Sequence, residues 1–239
     1  MAPRDQVGRW ETALEGLTGS QRAAIRGAMR RRVFAPREAL FSQGAPDTNL
    51  FVVEAGSVRV FHVAANGSEF TIGIVDAGSV LGIAAAVLNE QRCMCAESIG
   101  RVAAWSLARK DLFTLMAGIP KLSINLNRLL AGLAVASFVR SARIVHPAPV
   151  KLGKVLRDLA TRDRAAGQGT LHVIQGLTHQ DFATMVGASR TWVTSTLASF
   201  ERQGLLTRKK GVVLIPSLQK LDRAIAALER VTSASSGTS

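Results

Sequence analysis

Residues 177–206 read LTHQDFATMVGASRTWVTSTLASFERQGLL, and few folds satisfy that order of caps, apolar steps and a single glycine. Thr178 fits a helix N-cap, with Asp181 three residues on in the manner of a capping box. Phe182, Met185 and Val186 give that helix one apolar face. Gly187 falls where a tight turn between two helices needs positive φ. Ser189 caps the next helix, whose buried stripe is Val193, Leu197 and Phe200. That leaves Arg190, Thr191, Thr194, Ser195 and Ala198 on another face. After Gln203-Gly204, the runs Leu205–Thr207 and Gly211–Ile215 flank Arg208-Lys209-Lys210, a β-hairpin with a basic tip.

Helix, turn, helix and basic hairpin together predict a winged helix-turn-helix. Small polar donors on an exposed helix suit the major groove of DNA, where Arg grips guanine through two bonds. A basic hairpin tip suits phosphate. The candidate DNA contacts are therefore Thr178, His179 and Gln180, then Ser189, Arg190, Thr191, Trp192, Thr194 and Ser195, and Lys209 in the wing. Trp192 reads either as an apolar contact to a thymine methyl or as packing against the neighbouring helix.

The charge agrees with a polyanionic partner. The 239 residues carry 30 Lys and Arg against 17 Asp and Glu, a formal net charge of +13. From Pro147 onward there are 13 basic and 6 acidic residues, a net of +7, so the shorter C-terminal part is the more basic per residue. No Ser/His/Asp arrangement, P-loop or zinc-type cluster argues for an enzyme. Two Cys, 93 and 95, make no disulfide framework. The N-terminus lacks an apolar signal core, and the longest apolar runs fall short of the roughly 20 residues of a membrane helix, so a cytoplasmic protein with no membrane partner is expected.

Upstream, Glu11–Arg32 reads helical, with Arg30–Arg32 as a solvated helix end. Leu50–Val53, Ser57–Val63, Phe70–Val75 and Ala103–Leu107 read as short strands, separated by Ala55-Gly56, Asn66-Gly67 and Ala77-Gly78. Asn66-Gly67 is a hairpin signal in which both residues take positive φ. Such strands predict an antiparallel barrel or jelly roll. Leu122, Leu126, Leu129, Leu133 and Ala136 then step by four and three along a long helix, a seam for a partner helix or for the chain's own barrel; the partner is preferred. His146-Pro147-Ala148-Pro149 breaks it and is the candidate hinge. A helix over Val150–Leu159, a polar loop over Arg162–Gly169 and a disordered tail over Thr232–Ser239 complete the reading. The fold class is α+β: an N-terminal antiparallel β-roll (11–118), a long dimerisation helix (119–146) and a C-terminal winged helix-turn-helix (147–230).

Barrel, long helix and the string GASRTWVTSTLASFERQGLL resemble the Crp/Fnr family of bacterial regulators over about residues 20–225. The resemblance implies a homodimeric transcription regulator that reads a two-fold operator, its half-sites roughly 34–36 Å apart, with RNA polymerase as a further partner. In the recognition helix Ser189, Arg190 and Val193 match the family pattern, while Thr191 and Ser195 replace its Glu and second Arg. Residues 77–96, AGSVLGIAAAVLNEQRCMCA, resemble its phosphate-binding cassette. Gly82 and Arg92 are kept, Ile83 stands for the Glu that takes a ribose hydroxyl, and Cys93 for a Ser. Gly82, Ile83, Ala84, Arg92, Cys93 and, on the long helix, Ser137 are the effector candidates. Three effector readings stay open. One is a cyclic nucleotide held by Arg92. Another is a more apolar effector, or haem on His62 or His146. The last is no ligand, with control by concentration or by Cys93 and Cys95, which share a side if 92–96 is a strand. The alternative function is a cyclic-nucleotide-binding module that acts on a protein partner.

Overall fold

The computed structural model describes residues 8–142, 146–162, 171–209 and 211–235. The chain divides into two units, 1–142 and 143–239. The first opens with helices α1 (Trp10–Leu14) and α2 (Gly19–Ala28). They are separate because Thr18 starts α2 with a reciprocal capping box to Gln21. The single helix expected over Glu11–Arg32 is thus corrected. Arg30–Arg32 are no helix end either: they open strand β1 (Arg30–Phe34).

Strands β2 (Ala39–Phe41), β3 (Leu50–Val63), β4 (Glu69–Asp76), β5 (Val80–Leu81) and β6 (Cys95–Leu107) follow, with helix α3 (Ile83–Leu88) between β5 and β6. The antiparallel sheet runs β1-β6-β3-β4, with β2 on β6 and β5 on β3. The period of two along β3 divides two cores. Phe51, Val53 and Val58 turn into the roll with Phe34, Leu40, Leu81, Val102 and Ala104. Leu50 and Val52 turn the other way, towards a helical layer.

Two turn expectations change. Ala55-Gly56 does not end a strand; β3 passes through it with a register shift against β6. Gly56 has φ +88, and a Cβ there would lie 2.6 Å from the Arg101 carbonyl oxygen. At Asn66-Gly67 the hairpin forms, closed by the Ala64 N–H on the Ser68 carbonyl at 2.9 Å. Only Gly67 has positive φ, however, because Asn66 uses its Oδ1 to accept from the Ser68 N–H and hydroxyl.

Helices α4 (Arg109–Gly118) and α5 (Pro120–Ala142) complete the unit. Leu122, Leu126 and Leu129 are fully buried with Ala13, Leu17, Ile25 and Leu112, and Leu133 packs against the same cluster. The stripe expected to meet a partner helix therefore packs on the chain's own roll and helices. Asn125 fastens α5 further, donating through Nδ2 to the carbonyls of Ala13 (3.1 Å) and Glu15 (2.8 Å).

The second unit holds α6 (Ala148–Arg162), β7 (His172–Gln175), α7 (His179–Val186), α8 (Arg190–Arg202), β8 (Thr207–Lys209), β9 (Val212–Ile215) and α9 (Leu218–Ser235). Pro149 lies in the first turn of α6, where a missing N–H costs nothing. The sheet order is β7-β9-β8, so the wing hairpin gains a third strand that the sequence reading did not name. Nor did that reading name α9, which pairs with α6 through Arg157–Asp222 (2.9 Å) and Lys154–Glu229 (2.7 Å). Residues 232–235 of the expected disordered tail belong to α9. Residues 236–239, the expected loop over 163–169 and Lys210 lie outside the described residues.

Candidate nucleic-acid interface

The turn between α7 and α8 is built from three local devices. Thr178 accepts from the Asp181 N–H (3.2 Å), while the Asp181 carboxylate accepts from the Thr178 N–H and hydroxyl at 2.7 Å each. Gly187 ends α7 in the left-handed region, φ +69 and ψ 42. A Cβ there would meet nothing within 4 Å, so conformation alone, not space, asks for glycine. Ser189 then caps α8 through the Trp192 N–H at 3.1 Å. Val193, Leu197 and Phe200 anchor α8 in a core shared with Phe182, Val186, Leu206 and Ile215.

With that stripe buried, Arg190, Thr191, Thr194 and Ser195 are exposed along α8. No partner holds the Arg190 guanidinium among the described residues. His179 and Gln180 stand at the start of α7, and His179 Nδ1 lies 2.8 Å from the Thr194 hydroxyl, so the first helix braces the exposed face of the second. Burial, then the charges of Arg208 and Arg190, hold the His179 imidazole below its ordinary pKa. Two other candidates have structural duties. The Thr178 hydroxyl is consumed by the cap, and Trp192 is half-buried against the core, the packing option of the two sequence readings.

The wing also differs from its sequence reading. Glu201 on α8 accepts from the Arg208 N–H (2.8 Å) and Nε (2.9 Å), and Arg208 NH2 lies 2.8 Å from the same carboxylate. These bonds, the backbone one foremost, hold the Glu201 carboxyl below the usual range. Arg208 thus fastens β8 to α8, and the exposed cation of the described wing is Lys209.

In the first unit, the effector candidates separate. Gly82 (φ +74) precedes α3, and Ile83, 4% exposed, packs into the helical-layer core with Leu50 and Val80. Ala84 and Cys93 are exposed, and so is Ser137 on α5. Arg92 is buried and donates to the Gly82 carbonyl and to two residues the sequence reading missed, the Asp47 carboxylate and the Asn49 carbonyl. Cys93 lies in a bend and β6 starts only at Cys95, so the strand that would have aligned the two thiols is absent there. Cys95 Sγ accepts from the Gln43 N–H at 3.2 Å. His62 contacts Gln43, and His146 lies 2.8 Å from Lys154 Nζ. Among the described residues no cluster of three or more His, Cys, Asp or Glu could hold a metal, and no helix is long and apolar enough to cross a membrane.

Two family models match the chain: a cyclic nucleotide-binding domain over residues 31–118 and a Crp-like helix-turn-helix domain over residues 150–224. A CRP-like cAMP-activated global transcriptional regulator of Mycobacterium tuberculosis is 28% identical over 210 residues, 87% of this chain and 94% of that one. A cyclic AMP receptor protein of Thermus thermophilus is 27% identical over 192 residues, 77% and 82% of the two chains. The crystal structure of a CRP/FNR family transcriptional regulator from Thermus thermophilus shares the fold with TM-score 0.68 at 22% identity, covering 82% of this chain and 98% of that one.

Proposed function

The chain belongs to the Crp/Fnr family of transcription regulators, and from that premise we propose that it acts as a homodimer whose two α8 helices read a two-fold DNA site. The observation that carries base reading is the exposed face of α8. Arg190, Thr191, Thr194 and Ser195 stand out from a helix that a capped turn and a buried stripe hold rigid. Arg190 is the base-reading cation, His179, Gln180, Ser189 and Lys209 approach phosphate, and Thr191 and Ser195 supply short hydroxyl contacts.

Dimerisation is assigned to a stripe of α5 other than the one expected. Ile124, Val135 and Phe138 are 56%, 62% and 75% exposed, with exposed Ala131 between them. Positions 124, 131, 135 and 138 are spaced by seven, four and three, the steps of a helix–helix seam. Burying what is left exposed of these three side chains contributes at most about 1.5–3 kcal/mol each.

The test of base reading is an affinity panel of duplexes substituted one base pair at a time. Arg190→Ala is expected to lose about 1–3 kcal/mol and to relax discrimination at a single base pair per half-site. Uniform weakening across the panel would make Arg190 a phosphate contact. Unchanged affinity and specificity would remove it from the interface.

A further inference from the structure

A phosphate-binding arginine must offer its donors to an incoming anion, and both terminal nitrogens of Arg92 are already engaged within the protein, its buried Nε alone having no hydrogen-bond partner among the described residues. Its side chain is 1% exposed and forms an ion pair with Asp47 at 2.8 Å. The same NH2 donates to the Asn49 carbonyl at 2.6 Å, and NH1 donates to the Gly82 carbonyl at 3.2 Å. The guanidinium carbon lies 4.1 Å from the centre of the Phe41 ring, so one face is stacked. A Cβ at Gly82 would come 2.1 Å from Arg92 NH1, so the space this glycine leaves is filled by the guanidinium itself. Asp47, 35% exposed, is the more accessible member of the pair, and its negative charge beside the guanidinium opposes a second anion there.

The neighbouring positions agree. Ile83 is buried in the helical-layer core and has no acceptor for a ribose hydroxyl. Cys93, where the family has a Ser, has only a weak thiol donor. These residues do not fit a cyclic nucleotide.

We propose that the roll carries its own counter-anion: the Asp47 carboxylate occupies the place of a ligand phosphate on Arg92, and the protein binds its operator without a cyclic nucleotide. The inference rests on the DNA-binding reading for its second half only.

The experiment titrates the full-length protein with cyclic AMP and cyclic GMP by calorimetry, and measures duplex affinity with and without each nucleotide. No binding heat is expected up to about 1 mM, and duplex affinity is expected to change less than about twofold. Asp47→Ser and Asp47→Asn remove the competing charge; at least one is expected to gain heat with cyclic AMP or inorganic phosphate, and adding Arg92→Leu is expected to abolish the gain. Saturable micromolar binding by the unaltered protein that disappears with Arg92→Leu would overturn the proposal. So would nucleotide-dependent DNA binding, or two Asp47 variants that both fold, shown by unchanged circular dichroism spectra, and neither of which gains anion binding. A protein that binds no duplex under any condition would contradict the DNA reading, and the calorimetry would still decide the state of Arg92.

Discussion

Glu201 separates two arginines that look alike in the sequence. It clamps Arg208 to the recognition helix through the backbone N–H and the guanidinium, while Arg190 stays on the exposed face of α8. The caps Thr178, Asp181 and Ser189 and the turn at Gly187 were legible because each acts within three residues of its partner. The Glu201–Arg208 and Asp47–Arg92 pairs were not, since a charge in a sequence carries no sign of which distant charge neutralises it. His179 makes a residue-level prediction. Burial and the flanking Arg208 and Arg190 depress its pKa below 6.5 in the folded state, so the unfolded chain takes up the proton first. The stability it contributes is complete above about 6.5 and is lost as pH falls through the depressed value. The melting temperature is therefore expected to fall from about pH 7.5 to about pH 5, and His179→Asn to flatten part of that fall. An identical slope in the variant would show that other groups carry the acid sensitivity.

Helix α5 shows what periodicity can and cannot settle. Leu122, Leu126, Leu129 and Leu133 step by four and three, but the helix carries two such stripes, and spacing does not say which one faces the roll. Burial does: the leucines are inside and Ile124, Val135 and Phe138 are outside. Phe138→Asp is therefore expected to shift sedimentation from dimer to monomer at micromolar concentration, whereas Leu126→Ala is expected to lower stability by about 2–5 kcal/mol through a cavity in the unit's own core. A Phe138→Asp protein that stays dimeric would place the seam elsewhere. Strand β3 teaches the same lesson in a sheet. Ala55-Gly56 has turn composition, yet Arg101 and Val102 on β6 crowd Gly56 as a bulge within one strand.

For the molecule as a whole, sequence gave access to the order of parts because each has its own period: two in the roll, three to four in α5, and capped short helices in the C-terminal unit. The third strand of the wing sheet stayed hidden because β7 (His172–Gln175) pairs with β9 (Val212–Ile215) far along the chain, with no turn between them to signal it, and α9 because its partner is another helix rather than a motif. In the proposed function, two copies of the second unit read DNA in sequence and in two-fold symmetry. Selection of bound duplexes from a random pool by the full-length protein, followed by sequencing, tests it directly. The expected result is an inverted repeat with half-sites about 10–10.5 base pairs apart, centre to centre, and a repeat that loses one specified base per half-site when Arg190→Ala is used. No enrichment, or a single asymmetric half-site, would rule out paired reading by two α8 helices.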